Sequence, residues 1–101
     1  MVKNHKKIKW DKSATNNFNS AISYIREDSI KNANRVKENL LEKINNIKDN
    51  PEKYPADKYK LDNDGTYRAF EQHHLRVIYR VQQAEIKIIT VRHTKMKPLE
   101  Y

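Results

Sequence analysis

Arginines recur through the last third of the chain, at Arg68, Arg76, Arg80 and Arg92, and His93, Lys95, Lys97 and Tyr101 follow them. A guanidinium is a planar fork that bonds two phosphate oxygens at once. An imidazole exchanges a proton near neutral pH. Set among the apolar, often β-branched runs Leu75-Arg76-Val77-Ile78-Tyr79-Arg80-Val81 and 86–91, these residues suit a sheet surface that holds a polyanion and has an acid or base beside it.

Strand parity sorts the first run into two faces. Leu75, Val77, Tyr79 and Val81 fall on one, which must be covered, and Arg76, Ile78 and Arg80 on the other. Residues 82–85 have the length and polarity of a hairpin loop, and Ile86, Ile88, Ile89 and Val91 read as a central strand. Upstream, Ile8 and Trp10 alternate with Lys7 and Lys9 in a short, half-exposed strand over 6–10. Asp11 or Ser13 then offers a cap to a helix whose apolar positions are Ala14, Phe18, Ala21, Ile22 and Ile25, ending near Asp28. Ser29 is a second cap, and Ala33, Val36, Leu40, Leu41, Ile44 and Ile47 form the stripe of a second helix that Pro51 stops. A hairpin of two such helices needs a common cover, and the C-terminal sheet is the only one on offer. Residues 49–66, with Pro51, Pro55 and the lone glycine Gly65, read as a long surface connection. The order is β-α-α-β-β-β, an α+β fold in one domain over 1–101, with the helical hairpin packed on a small antiparallel sheet.

Composition narrows the function classes. Lys and Arg number 21 against 13 Asp and Glu, a net charge of +8, which suits nucleic acid, an anionic surface or an acidic protein. No cysteine is present, so disulfides, thiolate nucleophiles and Cys-based zinc sites are excluded. The basic start of the chain runs into Ile8 and Trp10 instead of an apolar signal segment, and no window is apolar enough for a membrane span. A soluble, cytoplasmic protein with no membrane partner is expected. His73-His74 is not read as a metal site, because neighbours in an extended chain point apart and no ligand lies at helical spacing from them. A turn is the better reading for that pair. No metal and no cofactor is expected.

The string Tyr67-Arg68-Ala69-Phe70, then Leu75 to Val81, resembles the "YR-x-F … YR-ϕ-ϕ-Y-x-V" signature of the RelE/ParE toxins of bacterial type II toxin–antitoxin systems, with Leu75 where Tyr is usual. Ala33 to Val36, Asn50-Pro51 and Arg92-His93-Thr94 leading to Pro98-Leu99-Glu100-Tyr101 also match, so the resemblance spans nearly the whole chain. It implies a growth-inhibiting toxin held by a cognate acidic antitoxin, and one of two activities. RelE-like members are endoribonucleases (mRNA interferases) that cut mRNA on the ribosome without a metal; ParE-like members inhibit DNA gyrase. Metal-free cleavage uses the 2′-OH against the adjacent phosphate and needs a proton acceptor, a proton donor and cations. The resemblance assigns these roles to Arg76, Arg68, Lys95 and Tyr101, with His93 as an added acid or base. Lys6, Lys7, Lys9, Arg80, Arg92 and Lys97 make up the expected RNA footprint, with ribosome and mRNA as partners.

Phe70 stands where RelE-like enzymes carry a basic residue, as ParE-like members tend to have it, whereas Tyr101 preceded by Lys95 and Lys97 fits the nuclease pattern. The nuclease is favoured here, with gyrase inhibition by protein contact as the alternative. Each residue also has a plain structural use. Arg76 and Arg80 suit the solvated face of a sheet, Arg68 an exposed ion pair with Glu71 or Asp64, His93 a hydrogen-bonding strand end, and Tyr101 a frayed end. The cluster Lys3, Lys6, Lys7 and Lys9 also guards an edge strand against stray pairing.

Overall fold

The computed structural model describes residues 6–101; Lys3 and the other residues of 1–5 lie outside the described part. Six elements follow in order: β1 (Lys7–Trp10), α1 (Lys12–Asp28), α2 (Ile30–Ile47), β2 (Tyr67–Gln72), β3 (Leu75–Val81) and β4 (Glu85–His93). The two helices form as their apolar spacing dictates. Ala14, Phe18 and Ile22 are the buried positions of α1, and Ala33, Val36, Leu40, Ile44 and Ile47 those of α2. Ser29 accepts a hydrogen bond from the Asn32 amide and so caps α2 at its first free N–H groups. Asp11 occupies the cap position of α1 without a side-chain bond to it, and its carboxylate sits 3.2 Å from Lys87 Nζ. Leu41, expected in the α2 stripe, faces outward at 39 % exposure beside the fully buried Leu40.

The strands form one sheet in the order β1-β4-β3-β2. β2, β3 and β4 make the expected antiparallel meander, and β1 adds to the β4 edge in parallel, so the sheet is mixed and not purely antiparallel. A parallel pairing needs a long crossover, and the helical hairpin supplies it. Between Ile78 and Tyr79 the register slips, leaving Ile89 unpaired as a bulge and only half buried. Leu75, Val77 and Tyr79 with Ile86, Ile88, Val91 and Phe70 close the core against the helices. Tyr79 is fully buried, its hydroxyl donates to the Pro51 carbonyl at 3.0 Å, and burial pushes its pKa up to about 12. Among the described residues, no helix is long and apolar enough to cross a membrane.

The opposite face of the sheet is not open. Ala69 and Ile78, paired across β2 and β3, are buried there outside the helix-side core. Residues 55–61 run along the β2 edge, where the Asp57 amide donates to Tyr67 O at 2.8 Å and the Ala69 amide to Pro55 O at 3.3 Å. The segment ending at Tyr101 joins them: the Leu61 amide donates to Tyr101 O at 2.6 Å and the Tyr101 amide to Tyr59 O at 3.3 Å. A loop strap and the closing segment therefore form a thin third layer.

Candidate functional site

Two places on the molecule gather the polar residues that drew attention, and they lie on opposite faces of the sheet. The first is under the strap. Arg76 and Glu71 are register partners on that face, and Arg76 Nη1 donates to Glu71 Oε2 at 2.8 Å. Its Nη2 donates to Asp57 Oδ1 at 2.6 Å, and the guanidinium lies over the Tyr59 ring at 5.1 Å. Asp57 itself is 2 % exposed. Its second oxygen accepts from the Tyr101 hydroxyl at 2.7 Å, and Oδ1 also accepts from the Tyr59 amide.

A buried carboxylate is costly unless charge and hydrogen bonds compensate it. Burial pushes the Asp57 carboxyl up, but the bonds from Tyr101, Arg76 and the Tyr59 backbone outweigh it and hold the group below its ordinary value. The same cluster acts on its partners. Burial works against the Arg76 charge, yet the bonds to Asp57 and Glu71 prevail and raise its pKa; burial and the Asp57 bond both push the Tyr101 phenol up, which makes it a poor proton donor. Around this lock lie Tyr67, in edge contact with Tyr101 at 5.7 Å, and Lys60, over both rings at about 5 Å. Arg80 covers the Tyr67 ring at 4.9 Å and reaches Thr66.

The second place is a groove of about 870 Å³ between the helical hairpin and the far end of the sheet. Its floor is apolar, from Ala21, Ile25, Val36, Leu75 and Val91. Its rim carries Arg35, His73, His74, Arg92, His93 and Lys95. No described residue lining it is acidic. His93 is the register partner of Leu75, which puts it on the helix side; its Nδ1 accepts from the Lys95 amide and its ring stacks on His74 at 6.4 Å. The His73-His74 pair forms the two-residue turn between β2 and β3, as expected, and among the described residues no group of three or more His, Cys, Asp or Glu side chains is arranged to hold a metal.

The five residues expected to do chemistry are thus not brought together. Arg76 and Tyr101 meet on Asp57, whereas His93 and Lys95 sit at the groove. Arg68 is the register partner of the buried Tyr79 on the helix-facing side, the opposite face from Arg76. There Nη1 donates to Tyr54 O at 2.6 Å and Glu52 O at 3.4 Å, so Arg68 holds the loop backbone and does not pair with Glu71 or Asp64. Phe70 is a core residue, 5 % exposed. The expected footprint is similarly spread. Lys7 and Lys9 are exposed on the β1 edge, Lys6 donates to the Gln82 and Gln83 carbonyls, and Arg92 Nε donates to Lys97 O at 2.8 Å. Tyr101 is pinned rather than frayed.

Sequence reasoning missed Asp57. An aspartate in a polar loop carries no periodicity, but Ile78 between two arginines on the supposedly open face was a signal that something must cover it.

Comparison with known proteins gives a consistent answer. No curated protein matches the chain. Solved structures do, among them a chain described as "Chromosomal ParDE TA system from P. aeruginosa", with a TM-score of 0.68 at 14 % identity, covering 90 % of this chain and 98 % of that one. At that identity the likeness shows the fold. A family model for the ParE toxin of type II toxin-antitoxin systems, parDE, matches residues 8–98, nearly the whole chain. This chain therefore belongs to the ParE toxin family of type II toxin–antitoxin systems.

Proposed function

We propose that this toxin acts by binding a protein target, DNA gyrase, and not by cutting RNA. The observation that carries this reading is the occupation of Arg76 and Tyr101 by buried Asp57. A guanidinium whose two Nη groups bond carboxylates and whose Nε is buried has its charge answered and its Nε edge closed to a phosphate, and a phenol bonded to a carboxylate holds its proton. Arg68, on the other face of the sheet, cannot share a substrate with them.

The toxin is held inactive by a cognate ParD-type antitoxin, whose acidic, amphipathic segment lies along the groove. An apolar floor with a cationic rim suits such a segment, and an occupant without carboxylates would leave the rim cations unpaired.

The test of mode uses purified, antitoxin-free protein in two assays. Supercoiling of relaxed plasmid by gyrase is expected to be inhibited, while mRNA translated in a cell-free system stays intact by primer extension. Cuts that need ribosomes and fall at a fixed place within codons would restore the nuclease reading.

A further inference from the structure

The turn between β2 and β3 is built from residues ill suited to it. His73 and His74 both hold positive φ, 54° and 63°. A two-residue hairpin turn with both central residues left-handed is the setting for Asn-Gly. Histidine is tolerated at positive φ but is costlier there than glycine. The two imidazoles are nonetheless fixed at this position by contacts on either side. His73 Nε2 lies 3.1 Å from Asn39 Nδ2 of α2, so the neutral ring accepts that bond, and His74 stacks on His93 of β4 with the ring planes 12° apart. All three rings line the mouth of the groove.

We propose that His73, in a groove wall it forms with His74 and His93, receives a carboxylate of the antitoxin segment, so that toxin and antitoxin bind more tightly as pH falls from 8 to 6. This rests on the groove being the antitoxin's seat. The charged groups that act on His73 are cationic, Arg35 and Lys43 from α2; at the end of β4 Lys95 follows His93, while Arg92 before it falls by register on the face of Arg76.

In the free toxin, burial first, then Arg35, His74 and Lys43, lowers the His73 pKa and so favours the neutral ring. A carboxylate brought into the groove reverses that balance. It favours the imidazolium, so the complex takes up protons and gains stability as pH falls. The carboxylates themselves stay charged over this range.

The experiment pairs NMR of the toxin with binding of the cognate antitoxin by calorimetry. Groove-floor signals from Ala21, Ile25 and Val36 report whether the segment sits there, and the imidazole signals report protonation. Floor signals are expected to shift on binding, Kd to be about tenfold lower at pH 6 than at pH 8, and the difference to vanish in a His73→Gln, His93→Gln double variant that still binds at pH 8. Shifted floor signals with a Kd independent of pH would overturn the titratable wall and leave the groove assignment standing. Unshifted floor signals in a formed complex would overturn the groove assignment, and the wall with it.

Discussion

The two faces of the sheet treat charge in opposite ways. Under the strap, cations find partners within the chain: Arg76 has Asp57 and Glu71, while Arg80 and Lys60 lie over tyrosine rings. Around the groove, Arg35 and Lys95 stand beside an apolar floor, and no acidic residue is among its described lining. In a chain with 13 acidic residues and a net charge of +8, that absence marks where an external anion fits. The strapped face pairs its charges within the chain, and the groove is the surface proposed for the antitoxin.

The contrast is broken most forcefully at Asp57. Removing one partner of a buried pair leaves the other uncompensated, so Asp57→Ala is expected to cost about 3–5 kcal/mol and to lower the melting temperature by well over ten degrees in a thermal scan. The pH dependence has a definite sign. A carboxyl held below its unfolded value contributes stability above the ordinary value of 3.8 and loses it as pH falls through the folded value. Acid denaturation below about pH 4 should therefore be shallower in Asp57→Asn than in the native chain.

Tyr101→Phe removes only the hydroxyl, and the loss of a bond to a charged acceptor should cost about 2 kcal/mol. Growth inhibition should persist in this variant, because the phenol is structural here; loss of toxicity in a folded Tyr101→Phe protein would favour the nuclease.

Arg35→Glu addresses the other face. Exposed on α2, Arg35 bonds only to Asn32 one turn earlier, so the melting temperature should hardly move while antitoxin affinity falls about tenfold or more. The smallest effect is expected from replacing His73-His74 by Asn-Gly, which relieves the left-handed residues and should raise stability by about 1 kcal/mol while abolishing the pH dependence of antitoxin binding.

The helical hairpin and the meander were readable because their apolar residues repeat with the period of the element that buries them. Tyr79 was placed in the core by parity alone. Position β1 was not, since four residues carry no sign of which edge they will join or in which direction. The candidate site was read less well than the fold. Family resemblance pointed to Arg68 and Arg76 together, although Arg68 pairs with Tyr79, an odd number of positions from Arg76 along β3, which puts the two arginines on opposite faces. Recognising the lock required knowing that residue 57 lies at the β2 edge within reach of the Arg76 side chain, a fact of tertiary placement with no local trace.

The parallel seat of β1 has a consequence for how the molecule comes into being. Ile8 pairs with Ile86, and the strand that receives it is the last strand of the chain to be synthesised. Until β4 has left the ribosome, a nascent chain lacks the inner strand that joins β1 to β3, and with it Val91 and His93 of the groove. Such late, long-range closure slows folding. It also means that the groove, which takes Val91 and His93 from β4, is completed together with the sheet.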